Sequence, residues 1–315
     1  MIRAGCGVAT SFEKELPPGT VLRGKWNGNR YVLERLLGVG SNGKVYLASR
    51  GKISCALKLG SEAAELQGEA NVLLSLDRRE KRRSPFLLDV DDAAVNGRDV
   101  PFYVMQYVAG VPVKSYLQQR GTHWFGVIGY RLLERLAEIH EAGWVFGDIK
   151  NDNILVADYG RVALVDYGGM TAVGRSVRQF TEIYDRGYWS AGSRTADPAY
   201  DWFAVAVLWL YALDGKRLLH LTRTLLPQNR NPGELMELVR TNPHLKPMED
   251  WMSRALTGRF QDSREATLRW RESFGAAARR RPEPGRGMPG WMAGLFAASL
   301  ALCAAAAAAA WLRYG

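Results

Sequence analysis

The sequence predicts an α+β chain of two lobes, strand-rich first and helical second, followed by one hydrophobic C-terminal helix. Three observations predict it. Between residue 30 and about 107, short β-rich runs dominate, with a single helical run among them. From residue 114 onward the spacing of apolar residues turns helical. From Trp291 to Leu312 the chain runs 22 residues without a charge. As a helix that stretch is ~33 Å long, enough to cross a bilayer core.

The elements follow in order. Residues 1–29 are punctuated by Gly and Pro and read as a flexible N-terminal extension. Arg30–Leu37, Lys44–Ala48, Cys55–Leu59 and Phe102–Tyr107 are the strands. Ala63–Leu76 is the helical run, with Leu66, Ala70, Leu73 and Leu74 predicted on one face. In the second lobe, Arg131–Glu141 carries Leu132, Leu133, Leu136 and Ile139 at helical spacing. Two short strands, Ile154–Ala157 and Val162–Val165, flank a turn at Asp158–Gly160. Asp201–Leu213 is almost wholly apolar. At 13 residues it is too short to span a membrane and predicts a helix buried on all sides. Asp262 and Glu265 form a capping-box pattern that opens a last helix, to about Ala278. Residues 279–290, RRRPEPGRGMPG, make a basic Pro/Gly/Arg linker.

Composition excludes several classes. The chain has 315 residues, 47% hydrophobic and 23% charged, as a globular protein has. Cys6, Cys55 and Cys303 lie too far apart for a disulfide scaffold or a CxxC zinc site. The histidines at 123, 140, 220 and 244 have no metal-ligand spacing. The N-terminus lacks the apolar core of a signal peptide. The formal net charge is +10, and residues 279–315 hold five Arg against one Glu.

The chemistry begins at Leu37-Gly38-Val39-Gly40-Ser41-Asn42-Gly43-Lys44-Val45. Glycines at this spacing let a hairpin backbone approach phosphates without Cβ clashes. A dinucleotide turn would need a helix after Gly43; a strand follows instead, so a hairpin is favoured. Lys58 ends an apolar strand behind that loop and is placed to neutralise phosphate oxygens. Its partner carboxylate is Glu69, with Glu65 one turn earlier as the alternative. The decisive segment is Phe146-Gly147-Asp148-Ile149-Lys150-Asn151-Asp152-Asn153. Eighteen residues after Asp148 comes Asp166-Tyr167-Gly168. Phosphoryl transfer needs a group to orient the hydroxyl nucleophile, cations on the moving phosphate, and metal ligands. Asp148, Lys150 and the Asn153/Asp166 pair supply them in that order.

On these residues the sequence resembles the Hanks-type Ser/Thr protein kinases over about residues 30–275. The segments 24–29, 143–148 and 184–189 are similar to the short sporulation kinases of endospore-forming bacteria. The resemblance implies a bilobal protein-kinase-like fold at residues 30–278, with the N-lobe ending near 107 and the C-lobe starting near 111. It implies ATP with Mg²⁺, or Mn²⁺, as cofactors and protein Ser/Thr as substrates. Gly38–Gly43 would then cover the ATP phosphates, and Lys58, paired with Glu69, would bind the α- and β-phosphates. Met105 would be the gatekeeper, and Gln106 and Val108 would meet adenine through their backbones. Val45, Ala56 and Leu155 would sandwich the base. Asp148 would be the catalytic base, Lys150 would contact the γ-phosphate, and Asn153 and Asp166 would hold the metal. Thr171, Ser176 and Thr181 are the candidate phosphosites.

Three positions depart from the family pattern. Phe146-Gly147 stands where the family has His-Arg, so there is no arginine pocket for an activation-segment phosphate. Arg186-Gly187-Tyr188 stands where the family has Ala-Pro-Glu, so its structural ion pair needs a substitute. Tyr167 replaces the usual Phe. Two rival readings remain: a small-molecule phosphotransferase, which shares Gly147-Asp148, and a pseudokinase scaffold. Residues 254–286 carry nine Arg against four acids, with Trp270 between Arg269 and Arg271. Arg279, Arg280, Arg281 and Arg286 suit anionic lipid or, without base readout, DNA. The positive-inside rule puts the kinase domain in the cytoplasm, held at the cell membrane by a single span. Residues 313–315 are then the external tail. Gly290 and Gly294 form a G-x-x-x-G at the start of the span, which suits a homodimer.

Overall fold

Strand β1 (Val21–Arg23) and strand β2 (Arg30–Gly40) open a six-stranded antiparallel sheet. Strands β3 (Gly43–Arg50) and β4 (Ile53–Gly60), helix α1 (Ala63–Glu80), then β5 (Leu87–Val95) and β6 (Arg98–Gln106) complete the N-lobe. The strand order is β1-β2-β3-β4-β6-β5. The computed structural model describes residues 15–40, 43–80, 86–178 and 181–280, with scattered positions between 294 and 313.

The two edges of this sheet meet. Gly24 bridges Ala93 on β5, and the Lys25 N–H donates to the Asp92 carbonyl at 2.8 Å. The closed sheet encloses Leu22, Tyr31, Leu33, Tyr46, Ala48, Leu57, Phe102 and Val104. Closure removes the exposed strand edges that invite aggregation. Residues 16–29 are therefore part of the lobe, not a flexible extension: β1 pairs with β2, and the Leu16 N–H donates to the Tyr46 hydroxyl at 3.0 Å. Strand β5 was not visible in the sequence because Asp89, Asp91 and Asp92 interrupt its β propensity. Those carboxylates hold the loop after β1. Asp91 accepts from the N–H groups of Trp26 at 3.0 Å and Asn27 at 2.9 Å. Asp89 accepts from the side-chain amides of Asn27 and Asn29 at 2.7 and 2.9 Å. Gly24 is required beside them, since a Cβ there would collide with the Asp91 carboxylate.

The other face of the sheet carries α1. Leu66, Ala70, Leu73 and Leu76 are buried, whereas Leu74 is 39% exposed. The expectation for Leu74 is corrected by the 100° step of the helix, which turns residue 74 away from the 66–70–73 stripe.

The C-lobe is mainly helical. It contains β7 (Val111–Pro112), α2 (Val113–Arg120), α3 (Phe125–Glu141) and β8 (Trp144–Val145). Next come β9 (Ile154–Ala157), β10 (Arg161–Leu164) and β11 (Thr171–Ala172). Then follow α4 (Pro198–Thr224), α5 (Pro232–Thr241), α6 (Glu249–Thr257) and α7 (Ser263–Arg280). The expected apolar helix is the first half of α4, buried continuously from Tyr200 to Leu210. It starts earlier than its apolar run because Asp197 caps it and Pro198 occupies its first turn. It breaks at Asp214, whose φ of −143° is non-helical. The expected capping pattern of α7 forms with a one-residue shift. The Glu265 N–H donates to Asp262, while Glu265 accepts from the Gln261 N–H rather than from Asp262.

Trp270 of α7 is fully buried, and its indole donates to the Gly126 carbonyl at 2.9 Å. It packs against Phe125, Trp209 and Trp251. It is a core residue and is not available to stack on a nucleic-acid base. Among the described residues no helix is long and apolar enough to cross a membrane. The expected span at 291–312 is described only at scattered positions; these are helical, with Leu295 and Leu302 exposed.

The loop closing the sheet gives a pH test. Burial works against the charged form of Asp91, but the N–H groups of Asn27, Trp26, Asp92 and Lys25 outweigh it and hold the carboxyl below its ordinary value. A depressed carboxyl contributes stability above its unfolded pKa and loses it as pH falls through the folded value. Asp91→Ala should cost on the order of 2 kcal/mol at neutral pH. The gap from wild type in thermal melts should narrow below about pH 4. An equal gap at pH 7 and in that acid range would contradict the account.

Candidate active site

The lobes enclose a cleft of about 670 Å³. The β2–β3 hairpin forms its roof. Gly38, Val39, Gly40 and Gly43 line it, while Ser41 and Asn42 lie outside the described residues. Val45, Ala56 and Leu155 line the walls, and Met105, Gln106 and Val108 line the back and the crossing between lobes. These apolar and backbone surfaces fit a flat aromatic base.

Lys58 sits deep in the cleft. It is 3% exposed, with its ammonium 2.6 Å from Glu69 Oε2 and 3.1 Å from Asp166 Oδ1. Glu65 is exposed, so the open choice resolves to Glu69. Burial alone would lower the Lys58 pKa, but the Asp166 and Glu69 carboxylates outweigh it and hold the pKa above the ordinary value. The lysine is therefore a fixed cation at any physiological pH.

Asp148 is 6% exposed and lies against Lys150 and Asn153 of the cleft floor. Lys150 Nζ is 2.6 Å from its Oδ2, and Asn153 Nδ2 donates to its Oδ2 at 3.0 Å and to its carbonyl at 2.9 Å. The Thr181 hydroxyl donates to Asp148 Oδ1 at 3.3 Å. With both amide hydrogens of Asn153 spent on Asp148, the Asn153 Oδ1 is its remaining polar atom. Asn153 and Asp166 both line the cleft. One amide oxygen and one carboxylate are hard donors of the kind Mg²⁺ takes, and this ion usually completes its shell with water and phosphate oxygens. Among the described residues there is no cluster of three or more His, Cys, Asp or Glu that would hold a metal unaided. Asp166 reaches this position through a left-handed backbone, φ +62°.

The catalytic loop hangs from Asp201 of α4. This fully buried carboxylate accepts the N–H groups of Phe146 and Gly147 at 2.8 and 2.9 Å. At the position of the family arginine, Gly147 adopts φ +78°, and a Cβ on it would lie 2.6 Å from the Gly169 carbonyl. The activation segment thus packs its own backbone where the arginine side chain would leave. Thr171 is 3% exposed, with its hydroxyl on the Gly169 carbonyl at 3.0 Å, which corrects its reading as a phosphosite. Ser176 is exposed and bridges Thr195.

The missing Ala-Pro-Glu ion pair has two substitutes that the sequence did not reveal. Arg186 binds Asp197 through both terminal nitrogens, at 2.9 and 2.6 Å, and donates to the Ser193 and Thr195 carbonyls. Asp185, fully buried, pairs with Arg194 at 2.6 Å and accepts from the Tyr200 hydroxyl at 3.0 Å. The two Asp and two Arg at 185, 186, 194 and 197 were the available signal. Of the predicted polyanion residues, Arg279 and Arg280 lie within α7 without described side chains, and Arg281 and Arg286 lie outside the described residues. Upstream, Arg254, Arg264 and Arg269 pair with Asp250, Glu141 and Glu265.

Two lobes, a glycine hairpin over a buried lysine–glutamate pair, and an Asp-Lys-Asn-Asp floor define a phosphotransferase of the protein kinase type. The protein kinase domain model matches residues 31–265, and the chain belongs to that family. It is an ATP- and Mg²⁺-dependent serine/threonine protein kinase. The serine/threonine-protein kinase YabT of Bacillus subtilis (strain 168) is 37% identical over 260 residues, covering 81% of this chain and 75% of that protein. Serine/threonine-protein kinase F of Synechocystis is 30% identical over 59% of this chain and 44% of that protein. Vaccinia related kinase 3 shares the fold, with a TM-score of 0.57 at 19% identity over 84% of this chain and 92% of that one.

Two substitutions test this segment. Gly147→Ala adds only a Cβ, yet it should displace Asp148 from its neighbours and cost about a hundredfold in turnover. Thr171→Ala with Ser176→Ala should leave most activity, because no arginine pocket waits for a phosphate. A double variant as inactive as Asp148→Asn, measured by phosphate incorporation into a protein substrate, would overturn the second expectation.

Proposed function

We propose that Asp148, Lys150, Lys58, Asn153 and Asp166 carry this chain's transfer of the ATP γ-phosphoryl group to Ser or Thr of proteins, its own included. The observation behind the reading is that Lys58, Lys150, Asn153 and Asp166 line one cleft, with Lys58 paired to Glu69 and Asp148 held by Lys150 and Asn153 while it accepts a threonine hydroxyl. The backbone of the 38–43 hairpin covers the phosphates, and Lys58 aligns them. Asn153 and Asp166 would hold Mg²⁺, which supplies charge neutralisation on the phosphate oxygens. Asp148 orients the acceptor hydroxyl and takes its proton as the hydroxyl oxygen bonds to the γ-phosphorus and the bond from that phosphorus to the bridging oxygen breaks, releasing ADP. Lys150 offsets the negative charge beside it. Holding reactants in line and matching their charge is most of what this reaction needs.

The kinase is anchored at the cell membrane by the 291–312 span with its catalytic domain in the cytoplasm. Exposed leucines on helical backbone at 295 and 302 support this. Its basic segment centres on Arg279, Arg280, Arg281 and Arg286, since Arg254, Arg264 and Arg269 upstream are paired and Trp270 is buried. DNA is the partner proposed for it, with binding independent of sequence; anionic lipid headgroups are the alternative. Dimers formed through the span or bridged by DNA would raise the mutual concentration of catalytic domains and promote autophosphorylation. A role in sporulation follows the resemblance of segments 24–29, 143–148 and 184–189.

Asp148→Asn should lower turnover ~10²–10⁴-fold while sparing ATP binding. Lys58→Ala should also reduce turnover. Near-wild-type rates in both variants would sink the assignment. For the basic segment, duplex DNA should stimulate autophosphorylation of the full chain in detergent, and replacing the four arginines by Glu should abolish that. With four phosphate contacts the log–log salt slope of DNA binding should be about −3.6. Stimulation by anionic vesicles alone would favour lipid.

A further inference from the structure

The Lys58–Glu69 pair has a third member. Tyr103 lies on β6 directly across from Lys58 on β4. Cross-strand partners present their side chains on the same face of a sheet. Both side chains reach the same atom: the Tyr103 hydroxyl donates to Glu69 Oε2 at 3.0 Å, and Lys58 Nζ lies 2.6 Å from it. Tyr103 is fully buried and Glu69 is 5% exposed. Burial, with Glu69 beside it, pushes the phenol well above its ordinary range, so it remains a donor.

We propose that Tyr103 is a positioning residue that holds Glu69, and through it α1, in the arrangement that aligns Lys58 with ATP. The inference rests on reading the cleft as the ATP site. Helix α1 needs such an anchor in this chain. The loop arginine that would organise the segment around a phosphate is absent, and the Gly169 carbonyl occupies its exit. A hydrogen bond from a strand of the sheet fixes the carboxylate without any modification. The strand is rigid, and Lys58 and Tyr103 share one cross-strand register, so the two donors keep a constant separation. Glu69 can satisfy both only with α1 against the sheet.

Tyr103→Phe removes one oxygen and keeps the ring. In the full chain, kcat/KM for ATP should fall about tenfold, the scale of one hydrogen bond to a charged group, with the melting temperature close to wild type. The same substitution in a Glu69→Ala background should cost nothing further, since residues acting as a unit are not additive. A role limited to packing would lower the melting temperature, or give a loss that adds to that of Glu69→Ala. Unchanged kcat/KM in Tyr103→Phe, or additive losses, would overturn the inference. Lys58→Ala, run alongside, separates the two levels. If Lys58→Ala is also fully active, the ATP-site reading itself fails; if only Tyr103→Phe is, the positioning role alone fails.

Discussion

The ammonium of Lys58 is the constraint around which the molecule is organised. An unpaired charge at that depth would cost several kcal/mol even after relaxation. It must therefore find carboxylates, and the two it finds come from separate segments: Glu69 on α1 and Asp166 beyond β10. Meeting both demands that α1 lie against the sheet and that the chain after β10 take the left-handed turn at Asp166. Phe86 and Phe146 pack on Tyr167, the next residue, with ring centroids 5.5 and 5.8 Å away. The aromatic contact secures from the apolar side what the ion pairs secure from the polar one. The usual Phe of this position lacks a hydroxyl; the ring is what the contact uses, which is why the change to Tyr is accommodated.

The activation segment follows a different logic from a phosphate-ordered loop. Its order comes from backbone pairing and from arginine–carboxylate contacts that each have one buried partner. Gly174 donates to Ala196, Val177 to Arg194, and Ala196 returns a bond to Arg175, at 2.8, 2.9 and 2.7 Å. Asp185 has no exposed surface, and its ligands include Arg194, Tyr200 and the N–H groups of Gly187 and Tyr188. A buried carboxylate with every lone pair engaged specifies one geometry, because each alternative leaves a donor or acceptor unsatisfied. Arg186 does the same with planar, two-pronged contact to Asp197, which also caps α4. The end of the segment is thereby tied to the start of the helix that carries Asp201.

Much of this was legible beforehand, for identifiable reasons. Glycines before a strand, a lysine ending an apolar run, and Asp-Lys-Asn with a later Asp-aromatic-Gly are local patterns, and chemistry dictates their spacing. The strands 30–40, 43–50, 53–60 and 98–106 show apolar runs for the same reason. What stayed hidden depends on partners distant in sequence. Strand β5 is rich in Asp because its carboxylates bind a loop between 60 and 65 positions earlier. Tyr103 reads as an ordinary strand residue until its register against Lys58 is known. Trp270 sits among arginines in sequence and among tryptophans in space. Helical periodicity places it on one face of α7, but only the packing of α3 shows that this face is the core.

The floor of the site is built on a proton-ordered chain that reaches the C-terminal helix. Asp201, an acceptor only, takes N–H groups from Phe146 and Gly147 and lies 2.9 Å from His140 Nε2. That nitrogen must therefore carry a proton. In neutral imidazole the other nitrogen accepts, and Ser263 Oγ is 2.6 Å from it. Ser263 in turn accepts from the Trp202 indole at 3.1 Å, which leaves its own hydrogen for His140. Each donor meets one acceptor from Trp202 through Ser263 and His140 to Asp201. Three of the elements that meet there, α3, α4 and the opening of α7, are packed by buried aromatics, so Asp201 has little freedom. Because Asp201 carries the backbone two residues before Asp148, the position of the catalytic carboxylate is set by the C-lobe core.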